Sequence, residues 1–273
     1  MATKHPGFLP KKPQGVITRG KTAQNRLRQT DHFLMIYDPQ LLGAGDDSIF
    51  VDLGYGFGPM TTLELADRFH LINPTLKLVG VEIDPDRVSV ALPYRSETVD
   101  FRLGGFNIPV RTGEYIRGIR AFNVLRQYNE EEVEPSWTAL SRNVVEGGVL
   151  LEGTSNPNGS IWVSNLLRMR DGHWKQEALV FYGNLKGGFD PANFQPVLPK
   201  NYIHHMVEGE WIHSFFEDWK QAARDERHQQ AWGNGRWFTE TANKMASRGY
   251  CVNTRRRFLS RGFFVLKNLP VKG

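Results

Sequence analysis

From Ser48 to Ser155 the chain alternates strand-length apolar runs with amphipathic helical patterns, and few architectures accept that alternation. The strands read "SIFVDLG", "LKLVGVEI", "VDFRLGG", "IRAFNVL" and "GGVLLEG"; "PMTTLELADRFHLI", "PDRVSVALPY" and "EEEVEPSWTALSRNV" read as helices between them. Strands joined by crossover helices lie parallel, so the pattern predicts an α/β fold, doubly wound, with a mostly parallel sheet covered on both faces. Near the end, "YCVNTRRRF" and "GFFVLKNL" flank Ser260-Arg261-Gly262 and predict an antiparallel closing strand pair, for a seven-stranded sheet.

The 273 residues divide into four stretches on this reading. Residues 1–45 are a basic tail, extended or mobile to about Gly20, and a helix over "TAQNRLRQTDHFLMIYDPQLL" that buries Leu27, Phe33, Leu34 and Tyr37. Residues 46–159 form the α/β core. Residues 160–233 break the alternation and read as an inserted segment that caps the site. It holds a hairpin around Asp171-Gly172, whose residues tolerate positive φ, and a helix with Trp211, Phe215, Trp219 and Ala222 on one face. Residues 234–273 supply the closing helix and strand pair.

The stretch "VDLGYGFGPM" restricts the ligand. Gly54, Gly56 and Gly58 stand where a buried strand must turn into a helix, and they let a ligand approach bare backbone. Pro59 suits the first helical position, where a missing N–H costs nothing. A nicotinamide loop reads G-x-G-x-x-G, and its third glycine falls on Pro59 here, which disfavours that class. Asp52, just before the loop, favours a cationic ligand group over a pyrophosphate. At the end of the next strand Glu82 is placed to accept both hydroxyls of a ribose, with Asp84 two residues on. The ligand expected is a nucleoside with an amino group and no phosphates. A tight turn that binds nothing is the alternative for the loop alone.

These residues resemble the class I S-adenosylmethionine-dependent methyltransferases. "VDLGYGFG" is similar to that family's first motif and "VGVEID" to its acidic strand end, with the likeness running from about Phe50 to Ser155. The resemblance implies S-adenosylmethionine as cofactor, with Gly54, Tyr55, Gly56 and Gly58 beside its methionine part. It also implies that Asp52 places the amino group and Glu82 holds the ribose. Many members have an acid after the third strand for the adenine amino group. This chain has "FRLGGFNIP", where Asn107 supplies a side-chain carbonyl and Phe106 a ring, or both are plain loop residues. "FNVLRQY" stands where amino-methylating nucleic-acid enzymes carry N/D-P-P-Y/F, which argues against base amino methylation.

Methyl transfer from a sulfonium is an in-line displacement, so alignment supplies much of the rate and a base is needed only for a protonated acceptor. Asn123 at the end of the fourth strand is expected to contact cofactor or acceptor, unless it caps a turn. Glu152, behind the apolar run "GGVLL", is a candidate base or the partner of an N-terminal arginine. Tyr128 is the third candidate, though tyrosines there more often pack. His204, His205 and His213 lack metal-ligand spacing, so no metal is expected. Arg255, Arg256 and Arg257 read as a solvated strand end.

Composition bears on partners. Lys4, Lys11, Lys12, Arg19, Lys21, Arg26 and Arg28 precede the first acid, Asp31, giving a +7 segment in a chain of net charge +5, so the rest carries −2. The body favours a small-molecule methyl acceptor; the tail favours RNA. A non-catalytic cofactor-binding module is the remaining alternative. No apolar run reaches the roughly 20 residues of a membrane span. With Cys251 as the only cysteine and no signal-peptide run at the start, a cytoplasmic protein is expected.

Overall fold

The computed structural model describes residues 12–18 and 23–270; the expectation of an extended tail over 1–11 and 19–22 lies outside the described residues. The chain opens with α1 (Arg28–Tyr37) and α2 (Pro39–Gly43), followed by β1 (Ile49–Leu53), α3 (Met60–Phe69), β2 (Leu78–Glu82), α4 (Pro85–Ala91) and β3 (Val99–Leu103). Next come β4 (Ile116–Phe122), α5 (Val133–Leu140), β5 (Val144–Ser155), β6 (Ile161–Arg170) and β7 (His173–Gly183). It ends with α6 (Lys200–Ile203), α7 (Trp211–Asp225), α8 (Asn234–Ser247), α9 (Arg256–Leu259) and β8 (Phe263–Leu266). The single helix expected before β1 breaks at Pro39. The ring excludes Asp38 from helical geometry (φ −139°, ψ 67°), and the Asp38 carboxylate caps α2 by accepting from Leu41 N.

One sheet of eight strands, in the order β3-β2-β1-β4-β5-β6-β7-β8, corrects the seven expected among these residues. β3 to β5 run parallel, and β6, β7 and β8 each run antiparallel to the strand before them in that order. The hairpin expected at the start of an insertion is part of this sheet: β6 pairs with β5 from Ser155↔Trp162 to Val149↔Arg168. Burial gives the reason. Trp162, Leu166, Val180 and Tyr182 join the core on one face, while Val163, Leu179 and Phe181 join it on the other. Strands apolar on both faces need a sheet covered on both faces. The Asp171-Gly172 turn is as expected, with φ of 52° and 74°.

The closing strand pair is also corrected. "YCVNTRRRF" contributes one bridge, Val252↔Leu266, and then winds into α9; β8 pairs with β7 instead. Three cores result. On one face α1 and α3 bury Phe33, Leu34 and Phe69 against Phe50, Trp162 and Phe263. On the other, α5 covers β1 and β4 through Val133, Trp137 and Leu140, and α7 and α8 cover β6 to β8. Phe215, Trp219 and Ala222 are buried as the helical pattern predicts, while Trp211, and Tyr37 of α1, are only partly buried. Among the described residues no helix is long and apolar enough to cross a membrane.

Candidate cofactor cleft

Two adjoining cavities open at the C-terminal ends of β1 and β4, the point where strand order reverses and open α/β sheets take ligands. The larger, about 40 Å³, is walled by Asp52 to Gly56, Thr61, Phe122, Asn123, Thr18 and Arg26. The smaller, about 20 Å³, lies among Gly104 to Phe106, Glu82, Ile83, Tyr128 and residues 14–16. Thr18, Leu53 and Gly54 line both.

The loop after β1 adopts the conformation its glycines predict, with φ of 68°, 85° and 102° at Gly54, Gly56 and Gly58. Pro59 precedes α3 directly. Tyr55 turns its ring inward, 5.5 Å from that of Phe101, so its side chain serves the core. The Glu82 carboxylate is buried and holds the loop's shape: it accepts from Gly56 N at 3.0 Å and from its neighbour Ile83 N at 2.9 Å. Arg87 stands 3.6 Å away. Asp84 caps α4 through Asp86 N and Arg87 N.

Asp52 lines the larger cavity, and its carboxylate already has partners there. Its carboxylate accepts from Thr61 Oγ1 at 3.0 Å, Thr62 Oγ1 at 2.9 Å and Arg120 Nε at 3.0 Å. Arg120, fully buried, also pairs with Asp31 of α1, which takes Arg68 at 2.8 Å. Burial opposes the Arg120 charge, yet Asp31 and Asp52 outweigh it and hold the guanidinium above its ordinary pKa. The negative charge expected to attract an amino group is therefore met from inside. Asp52 fixes the first turn of α3 against β1, and a buried acid behind a glycine loop looks the same in sequence whichever way its charge is answered.

At the smaller cavity, residues 12–18 lie across the groups expected to read a base. Phe106 N donates to Gln14 O at 2.9 Å, and Gln14 N donates to Asn107 Oδ1 at 2.8 Å. Asn107 Nδ2 donates to Lys12 O at 3.0 Å, and Val16 N donates to the Tyr128 hydroxyl. Phe106 and Tyr128 pack ring to ring at 5.3 Å, and burial raises the Tyr128 pKa. Thr18 is held by Arg87, at 3.2 Å through its hydroxyl and 3.0 Å through its carbonyl.

Of the three candidate catalytic groups, only Asn123 faces the larger cavity. It sits at φ 60°, with Oδ1 accepting from Ser155 N at 3.0 Å and Nδ2 donating to Ser155 Oγ at 3.2 Å. Arg26 donates to the same Ser155, through Nε to Oγ at 3.1 Å and Nη2 to O at 3.3 Å. Among the described residues Arg26 makes no ion pair, and burial and then nearby Arg126 lower its pKa. Glu152 lines neither cavity. It is buried on the opposite sheet face, accepting from Asn165 Nδ2 at 2.9 Å, and burial lifts its pKa to about 7. Among the described residues no N-terminal arginine pairs with it. Among the described residues no His, Cys, Asp and Glu group could hold a metal ion; His205 meets Glu130 at 2.6 Å and Glu210 at 3.1 Å.

No family model and no curated protein matches the chain. Solved structures similar to it include the N-methyltransferase NodS from Bradyrhizobium japonicum, 15% identical over 48% of this chain and 69% of that one, with a TM-score of 0.34. A second is an amino pentose methyltransferase from Micromonospora echinaspora, solved with S-adenosylmethionine, 17% identical over 59% and 68% of the two chains, TM-score 0.34. A third is the cyclopropane synthase MmaA2 from Mycobacterium tuberculosis, 15% identical over 46% and 42%, TM-score 0.33. These likenesses are weak in superposition and set no activity for this chain.

Proposed function

We propose that the protein is an S-adenosylmethionine-dependent methyltransferase acting on a small-molecule acceptor. One observation carries this reading. A loop of three positive-φ glycines and a buried carboxylate at the next strand end meet at the sheet's switch point, with Asn123 across the cavity. Each Glu82 oxygen has more than one acceptor direction, so a ribose hydroxyl adds to the amides it already serves. The bare backbone of Gly54 to Gly58 lets a methionine chain lie against it. When bound, the cofactor supplies a methyl group already activated by its sulfonium.

The chain's residues then do the work of alignment. Asp52 acts as a positioning residue through Thr61, Thr62 and Arg120, holding α3 and the glycine loop in register. Arg26, which makes no ion pair among the described residues, receives a carboxylate at the larger cavity beside Asn123 and Ser155. Glu152 stays a structural carboxyl in this reading, and Tyr128 a wall of the adenosine side. Among the described residues the one carboxylate lining the larger cavity, Asp52, is taken up by Thr61, Thr62 and Arg120, so the acceptor that fits is nucleophilic in its neutral form, and orientation with exclusion of water provides the acceleration.

Mass spectrometry of the purified protein under native conditions tests the assignment, followed by incubation of cell extract fractions with methyl-labelled S-adenosylmethionine. The proposal expects bound S-adenosylmethionine or S-adenosylhomocysteine, and label transferred to small molecules rather than to RNA or protein. Label on RNA instead moves the acceptor to the other class. Absence of any nucleoside ligand after loading contradicts the reading.

A further inference from the structure

Residues 12–18 touch the cleft almost wholly through main-chain groups. Lys12, Gln14, Gly15, Val16 and Ile17 are exposed, with Val16 at 58% and Ile17 at 47%. So the segment buries little apolar surface of its own. What fixes it is a ladder of hydrogen bonds to groups at the nucleoside end: Phe106 N, both ends of the Asn107 amide, the Tyr128 hydroxyl and Arg87. Gln127 Nε2 adds bonds to the carbonyls of Val16 at 3.1 Å and Ile17 at 3.2 Å.

The pattern at Gln14 has a definite chemical counterpart. Its peptide carbonyl takes the Phe106 N–H while its own N–H serves Asn107 Oδ1, so an acceptor and a donor are offered side by side. The edge of adenine offers the same pair, a ring nitrogen as acceptor and the exocyclic amine as donor. The two cannot coexist there. The Gln14 carbonyl oxygen lies 1.9 Å from where a side-chain carbon on Gly105 would stand, so the strap rests directly on the loop and leaves no plane between them for a base.

We propose that residues 12–18 form an intramolecular strap that occupies the adenosine place, and that the cofactor enters only when the strap lifts. The inference rests on the reading given under Proposed function. A segment held mainly by hydrogen bonds at the surface belongs to the least stable part of a fold, so it opens without global unfolding. Apparent affinity for a nucleoside cofactor is then the intrinsic affinity reduced by the fraction of molecules with the strap open. The strap thereby sets how much cofactor is needed to charge the protein.

The test uses the full chain. Replacing Gln14→Pro and Val16→Pro together removes the two strap N–H donors, to Asn107 and Tyr128, and leaves Glu82, Phe106, Asn107 and Tyr128 in place. Titration calorimetry with S-adenosylhomocysteine should show binding tightened by about tenfold or more in the double variant, since the closed population falls. A synthetic peptide of residues 12–18, added to that variant, should reverse the gain competitively. Gln127→Ala, which loses two strap bonds at the surface, should give a smaller gain in the same direction and serves if the proline variant misfolds. Unchanged affinity in both variants overturns the strap. Weakened affinity overturns it too, by making residues 12–18 part of the bound site. If neither wild type nor variants bind any adenosine compound while remaining folded, the functional reading fails, and the strap as a gate fails with it.

Discussion

The parallel half of the sheet and its antiparallel half bury very different material. Under β1, β2 and β4 lie the charges of Asp31, Asp52, Glu82, Arg117 and Arg120, each answered by a partner or by backbone. Over β6 to β8 the interior is aromatic. Phe181 has Phe194, Phe215, Phe216, Trp219 and Phe264 around it, with Trp219 and Phe264 only 4.5 Å apart between ring centres. The half that carries the cleft needs polar groups at its strand ends, and they are tolerable in the interior only when paired. The other half has no such duty and contributes packing.

The largest effects should separate the two halves by what else they disturb. Arg120→Met leaves Asp52 buried without a cation and Asp31 with Arg68 alone, at a cost of about 3–5 kcal/mol. It should also weaken cofactor binding, because the first turn of α3 loses its anchor. Trp219→Ala should cost a similar 3–5 kcal/mol by opening a cavity, yet leave cofactor affinity unchanged wherever the protein is still folded. Urea unfolding read beside ligand titration checks both. Equal loss of affinity in the two variants would erase the distinction.

At the seam between the halves stands Glu152, beside Asn165. Burial holds its native pKa at about 7, above an ordinary value of 4.5, so the folded protein keeps a proton that the unfolded chain has released. The associated stability is full below pH 4.5 and declines as pH rises towards 7, by about 3 kcal/mol in all. Glu152→Gln should abolish that decline and raise the melting temperature at pH 8 more than at pH 5. Parallel melting curves for wild type and variant would show a carboxyl with no linkage to folding. Smaller again is Glu82→Ala, which removes a charge-assisted acceptor from the cleft. Cofactor affinity should fall by roughly 1.5–3 kcal/mol, measured by calorimetry, with none of the loss seen in Trp219→Ala.

Sequence patterns reached the two halves unequally. The strand-helix alternation from Ser48 to Ser155 and the conformation of the glycine loop were legible because both rest on local rules, periodicity and positive φ. The Asp171-Gly172 turn was legible for the same reason. That β6 and β7 continue the sheet was not read, although their apolar residues fall on both faces, a sign of central strands. In the site, the opposed faces of Glu152 and Ser155 follow from their odd spacing in one strand, and that alternation separates Glu152 from Asn123. The Asp52–Arg120 pairing and the strap lay beyond local reading. Arg120 shares a buried strand with Arg117 and carries no mark of its partner. Gln14 meets Asn107 across 93 positions, mostly through peptide groups that every residue shares. Arg26, hidden among the tail's cations, is set apart only by its contact with Ser155.

The central claim is that the glycine loop and the β2 carboxylate bind an adenosine cofactor without phosphates, and the direct measurement is comparative titration of the wild-type protein. S-adenosylhomocysteine should bind with one-to-one stoichiometry and NAD should not. Gly56→Val, which forces a β-branched residue to φ near 85° on the wall of the larger cavity, should lose that binding while the protein stays folded. Binding of NAD in preference to S-adenosylhomocysteine, or full S-adenosylhomocysteine affinity in folded Gly56→Val, would contradict the account.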